Sequence, residues 1–183
     1  ADPEKTSKGM ANLCGVAGLS TQKIKELASA GDTAAKQSYE DHYTGAISGG
    51  INEFWTQERY NVHFRIEKEK LIVSISDKTY DSRIGPADRS DGFQWYLSFY
   101  SALLNEVGAT QSIVVLLDNP GLEVHADGQR DIKRFLEEKL PTAQVIYVTH
   151  SPAMIDPYRL EQIRKVELLA NKQGTRVTKL TLE

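Results

Sequence analysis

Cysteine is nearly missing from this chain. Cys14 is the only one in 183 residues, which excludes an internal disulfide and any metal site built from cysteines alone, and makes the cytoplasm the simplest compartment. No apolar run approaches the roughly 18 residues of a membrane-spanning helix, so no membrane contact is expected. The Gly15–Leu19 patch is too short for the core of a signal peptide. Positive charge is not in excess: 22 Lys and Arg stand against 25 Asp and Glu, a net charge of −3. Nothing domain-wide would hold nucleic acid by counterion release, and any DNA contact must come from a local patch. A phosphate-cradling G-x-x-x-x-G-K-[ST] loop is absent as well. Gly15-Val-Ala-Gly18 lacks the lysine, and Gly45 to Gly50 lacks both the lysine and the hydroxyl that should follow it. His42, His63 and His125 show no helical metal pair such as H-E-x-x-H, so no zinc site is assigned.

What is present is an ordinary globular composition of a length that suits one domain with a real core. The opening Ala-Asp-Pro reads as a processed, tagged or excised segment rather than a native start, and the chain is expected to be a fragment. Residues 1–19 read as a loose lead-in. Residues 20–57 read as a helical arm, with one helix over Thr21–Ala30 and another from Asp32, its N-cap, to about Gln57. A kink is expected at Ile47-Ser-Gly-Gly50, because glycine costs about 1 kcal/mol in a helix interior. Alternating apolar residues over Tyr60–Ile66 and Lys70–Ser76 predict a β-hairpin. Residues 77–89 are rich in turn formers. A helix over Asp91–Val107 carries Phe93, Leu97, Tyr100 and Leu104 on one stripe. A further helix over Asp127–Lys139 turns Ile132, Phe135, Leu136 and Leu140 inward and is stopped by Pro141. Two closing strands are expected near Lys165–Leu169 and Arg176–Leu182. The alternation of strands and helices predicts an α/β fold with a largely parallel core.

The chemistry concentrates at three places. Ser112-Ile-Val-Val-Leu-Leu-Asp118 and Val145-Ile-Tyr-Val-Thr149-His150-Ser151-Pro152 read as buried parallel strands that end on polar residues. In open α/β sheets ligands lie beyond the carboxyl ends of the strands, so Asp118 and His150 are expected side by side at one rim. A carboxylate fixed there can orient magnesium through its water shell. A neutral imidazole can bond a terminal phosphate oxygen or an attacking water, and Thr149 and Ser151 add hydroxyl donors. The third place is Arg89-Ser90-Asp91-Gly92-Phe93-Gln94, where a helix N-terminus exposes unpaired N–H groups to an anion. Each alone has an ordinary explanation: a strand-end cap, a rim histidine, a helix cap.

Taken in order, the three segments resemble the C-terminal lobe of an ABC-type ATPase head, a partial P-loop NTPase fold, and in particular the OLD-like ATPases related to the SMC and double-strand-break repair ATPases. Ser90, Gly92 and Gln94 match that family's S-x-G-x-Q signature loop. Leu116-Leu-Asp-Asn-Pro-Gly121 resembles its Walker B ending L-L-D-E-P-G, Val124-His-Ala-Asp-Gly-Gln129 its L-H-P-x-x-Q continuation, and Val148-Thr-His-Ser-Pro152 its switch-histidine strand. The resemblance spans Asn52–Leu169. It implies ATP and magnesium as cofactors, with Asp118 on the metal, and a second head, in a homodimer, whose Ser90 and Gly92 close over the phosphate in trans. It also implies an N-terminal lobe carrying the Walker A loop, residues 58–183 as the C-terminal lobe, and residues 20–57 as the returning arm of a coiled-coil-like insertion. OLD proteins commonly continue into a nuclease acting on DNA in repair or phage defence. Asn119 departs from the pattern, which has a glutamate there to polarise water. An amide cannot take the proton, which costs ~10² to 10⁴ in rate. Slow or absent hydrolysis, or Glu123 as the base, follows. The alternative function is a non-hydrolytic, ATP-gated dimerisation or DNA-clamp module. A third is an interaction domain with no nucleotide site, which needs Ser90, Asp118 and His150 buried and far apart. Lys23, Lys25, Lys36 and Arg59 at the base of the arm read first as a solvated helix face, and as DNA contacts in the alternative.

Overall fold

The computed structural model describes residues 8–68, 70–79, 82–107, 113–170 and 173–180. Five α-helices and six strands follow in the order α1 (Lys8–Ala17), α2 (Thr21–Ala30), α3 (Thr33–Phe54), β1 (Tyr60–Glu67), β2 (Lys70–Asp77), α4 (Asp91–Val107), β3 (Val114–Asp118), α5 (Ala126–Glu138), β4 (Gln144–Val148), β5 (Arg164–Leu168) and β6 (Thr175–Lys179). The lead-in is therefore not loose throughout: α1 packs against α4 and buries Leu13. Its small residues hid the one apolar stripe that docks it. Residues 1–7 lie outside the described residues.

Helix α2 is capped by the Ser20 side chain, which accepts from the Lys23 N–H, and is ended by Gly31 at φ 68°. Asp32 caps α3 as expected, accepting from the Ala35 N–H at 3.0 Å. Helix α3 then runs as one helix through Gly49 and Gly50, where a kink was expected, to Phe54. Gly50 has a packing reason: a Cβ there would stand 2.3 Å from the Tyr100 hydroxyl of α4.

A polar ladder joins α3 to the open edge of β1. Glu40, Thr44 and Ser48 accept from the N–H groups of Ile66, Phe64 and Val62. Asn52 finishes the series by accepting from the Tyr60 N–H and donating to the Tyr60 carbonyl. The side chains stand four apart on the helix and their partners two apart on the strand. Four helical residues rise about 6 Å and two strand residues about 6.6 Å, so the two spacings stay in step over three intervals. A bare strand edge would otherwise invite pairing with another chain.

The hairpin forms as expected, antiparallel, with Tyr60 opposite Asp77 and Glu67 opposite Lys70. Its inner face meets Phe93, Tyr96, Leu97 and Tyr100 of α4, Ile47, Ile51 and Phe54 of α3, and Ile132, Phe135 and Leu136 of α5 in one core. Burial pushes the Tyr100 hydroxyl up to about 12, helped by the nearby Glu53 charge.

Two expectations about the sheets are corrected. The fold is mixed α/β, but among the described residues only β3 and β4 pair in parallel, β1–β2 and β5–β6 are separate antiparallel pairs, and no largely parallel sheet is formed. Nor are β3 and β4 buried on both faces. Val115 and Val145 turn to the core, whereas Leu116 is 72% and Val148 52% exposed, with Val114 and Ile146 on the same open face. The apolar run that signalled a buried strand has only one covered side here.

Candidate nucleotide site

Asp118 pairs with Val148 at the carboxyl ends of β3 and β4, and the Asn119 N–H extends the ladder by donating to the Val148 carbonyl at 2.9 Å. His150 follows two residues later. The rim expected for Asp118 and His150 is thus formed by neighbouring strands. Beyond it the chain makes two loops. The first turns at Asn119, whose φ is +46°, and at Gly121, whose φ is +77°, with the Leu122 N–H donating to the Asn119 carbonyl and the Val124 N–H to the Gly121 carbonyl. A Cβ at Gly121 would meet the Ile132 side chain at 2.8 Å, so both space and backbone require glycine. In the second loop the Ser151 N–H donates to the Thr149 hydroxyl and the Ser151 hydroxyl accepts from the Ala153 N–H.

Between the loops lies a cavity of about 170 Å³, walled by Asn119, Pro120 and Leu122 on one side and Thr149, His150 and Ser151 on the other, with Gln129 of α5 beneath. Drug-sized ligands occupy pockets of roughly 300–1,000 Å³, so this volume suits a phosphate end and not a whole nucleotide. A larger open groove of about 560 Å³, between α5 and residues 152–158, holds none of the expected site residues.

Asp118 is exposed, and its carboxylate accepts from the Asn119 side-chain amide at 3.1 Å. Among the described residues no group of three or more His, Cys, Asp and Glu side chains comes together. A lone strand-end carboxylate does fit magnesium, which takes one or two protein oxygens and completes its shell with phosphate and water. Ser151 is a correction. Its one proton is given to the Gln129 side chain, so it is no spare donor for a phosphate; Thr149 keeps its own proton.

The signature-like segment stands apart from this cavity. Ser90 is exposed just ahead of α4, and its carbonyl takes the first helical bond from the Gln94 N–H. Gly92 packs on the turn after Asp118, with the Glu123 carbonyl 3.5 Å from where its Cβ would be. Gln94 does not reach outward: its amide donates to the carbonyls of Ala87 and Arg89 and braces the loop ahead of the helix. Arg89 anchors the same loop through a buried pair with Asp77 and a bond to the Ile75 carbonyl, and lies over the Tyr60 ring. Burial holds the Tyr60 hydroxyl above its ordinary value, while Arg89 and a hydrogen bond with Ser90 pull the other way.

Sequence reasoning missed how the site is braced. Asp131 is buried on α5 and accepts from the Thr56 N–H at 2.8 Å, the Thr56 hydroxyl at 3.0 Å and the Gln57 amide at 3.2 Å, tying the end of α3 to α5. Gln57 also bonds the His125 ring at 2.9 Å. For Asp131 the signal was its position on the inner stripe of an amphipathic helix; Gln129 shares that stripe and also closes the L-H-P-x-x-Q-like run.

The fold is similar to those of solved SMC ATPase heads. One is an SMC ATPase studied for ATP-driven dimerisation and DNA-stimulated activation, matched with a TM-score of 0.52 at 12% identity over 80% of this chain and 89% of that one. Another is an Smc head bound to the C-winged helix domain of ScpA, with a TM-score of 0.53 at 12% identity, over 95% of this chain and 55% of that one. At such identity the likeness shows a shared fold with these SMC ATPase heads and nothing finer. In sequence, an uncharacterized protein of Methanocaldococcus jannaschii is 32% identical over 128 residues, 64% of this chain and 33% of that protein. The chain thus spans about a third of the length of this curated relative. No protein-family model matches.

Proposed function

We propose that the chain is the C-terminal lobe of an ABC-type ATPase head that holds the phosphate end of MgATP between the Asp118–Asn119 turn and the His150 loop, and dimerises around the nucleotide through the Ser90–Gly92 loop of a second copy. The observation that carries this is the parallel pairing of Asp118 with Val148, which sets Asn119 and His150 across one phosphate-sized cavity. Magnesium would supply charge neutralisation at the phosphate oxygens. Asp118 would orient it, and His150 would donate to a terminal phosphate oxygen or position water. Two features support an additional N-terminal lobe that brings the phosphate-cradling loop. The sequence has no such loop, and the β3–β4 pair leaves the apolar face of Val114, Leu116, Ile146 and Val148 uncovered. The OLD-like resemblance extends the proposal to an arm over residues 20–57 and to a gated nuclease effector in DNA repair or phage defence, working in the cytoplasm, with Lys23, Lys25, Lys36 and Arg59 as its nearest DNA-facing cations. Among the described residues no helix is long and apolar enough to cross a membrane.

A second function, ATP-gated dimerisation or DNA clamping without turnover, is favoured by one observation: the Asn119 amide is turned back onto Asp118 and has no proton-accepting group to offer water. Exposed Glu123, on the same turn, is the remaining candidate base.

Equilibrium binding of MgATP to the full-length protein tests the site. Asp118→Ala and His150→Ala should each weaken binding at least about tenfold, a loss of ~1.4 kcal/mol. Unchanged affinity in both variants contradicts the proposal. Asn119→Glu should raise hydrolysis by about 10² or more if the site lacks only its base. No change would assign that role to Glu123.

A further inference from the structure

Gln129 lies beneath the phosphate-sized cavity, is 9% exposed, and is bonded to both of its walls. Its Nε2 donates to the Gly121 carbonyl at 2.9 Å, and its Oε1 accepts from the Ser151 hydroxyl. The direction of the amide follows from its partners. The Gly121 carbonyl can only accept, so the NH₂ end must face it, and the oxygen is left for Ser151, whose hydroxyl must then be the donor. That hydroxyl also accepts from the Ala153 N–H, which fixes the loop that follows His150. On the other side the turn packs closely over the floor, since a Cβ on Gly121 would lie 2.8 Å from the Ile132 side chain and in ordinary contact, 3.4 Å, with the Gln129 Cγ. The floor is itself held, since Asp131, two residues on, accepts from three donor groups on Thr56 and Gln57 just past the end of α3.

We propose that Gln129 is a positioning residue that sets the spacing of the two walls of the site, its amide holding the Asn119–Gly121 turn with one end and the His150 loop with the other. This rests on the phosphate-end site proposed above. It assigns Gln129 a task that needs one donor and one acceptor at opposite ends of the same buried side chain. Glutamine meets that need without charge. Glutamate keeps the acceptor for Ser151 and loses the donor for Gly121. Methionine fills the same volume and keeps neither.

Amide hydrogen exchange of the full-length protein, read separately over residues 119–124 and 149–154, tests the link without depending on turnover. The N–H groups of Leu122 and Val124 report on the first wall, those of Ala153 and Met154 on the second. Losing a bond of this kind should speed local exchange about fivefold. Gln129→Met should speed both segments. Gln129→Glu should speed 119–124 only, Ser151→Ala 149–154 only, and Ser151→Thr, which keeps the hydroxyl, should restore the unsubstituted rate. A residue acting by packing alone would not give this pattern of one wall, the other wall or both. The proposal is overturned if Gln129→Met leaves both segments unchanged, or if Gln129→Glu loosens 149–154 as much as 119–124. Adding MgATP to the unsubstituted protein should slow both segments together. Failure of that arm counts against the nucleotide site, and the variant pattern still decides the role of Gln129.

Discussion

Asn119 occupies the left-handed region at φ +46°, two residues before a glycine at φ +77°. Asparagine enters that region far more readily than other side chains, and for most residues it costs roughly 1–2 kcal/mol. Asparagine therefore suits the backbone at a position where the resemblance implies a glutamate. Asn119→Gly should leave the urea unfolding free energy unchanged or slightly raised, whereas Asn119→Ala and Asn119→Glu should lower it by about 1 kcal/mol. Equal losses for all three would mean that the side-chain bond to Asp118, not the backbone, decides the position. The places of Asp118 and His150 were legible because a charged or ionisable residue stands out at the end of an apolar run. The sign of φ at Asn119 was not, and neither was the destination of the Ser151 proton, which depends on a glutamine that folding brings in from α5.

Helix α3 was legible as a helix with its Asp32 cap, but not its two-sided task. Its polar ladder to β1 needs a fourfold spacing on the helix and a twofold spacing on a strand that folds back beside it, and neither pattern is conspicuous by itself. Three adjacent alanine substitutions separate the forces at work. Ser48→Ala leaves the buried Val62 N–H without a partner and should cost about 1–3 kcal/mol despite alanine's helix propensity. Gly49→Ala points into open space and should stabilise by up to about 1 kcal/mol. Gly50→Ala drives a methyl group against the buried Tyr100 and should cost about 1–3 kcal/mol. Chemical denaturation of the three variants checks the signs. A stabilised Gly50→Ala would show that Tyr100 can move aside, and that the glycine is not there for close approach.

For the whole molecule, α1, α3, α4, α5 and the hairpin build one core, while the β3–β4 pair stands with one apolar face open. That face explains why a largely parallel sheet was expected and not found. Apolar strands carry the same residues whether their cover lies in the same segment of chain or elsewhere. Leu116→Lys separates the cases. In the 183-residue chain alone it should change stability by no more than about 1 kcal/mol, since the side chain is 72% exposed. In a protein containing the N-terminal lobe it should cost about 3 kcal/mol or more, as an unpaired buried charge does. Small effects in both would leave the face without a covering lobe. The most direct test of the central claim, that this lobe belongs to a head closing around ATP, is sedimentation velocity of the full-length protein with and without MgATP. The account predicts a shift from monomer to dimer on adding MgATP, lost in Ser90→Arg, which would block the loop facing the second head. An unchanged sedimentation coefficient with MgATP at saturating concentration would contradict it.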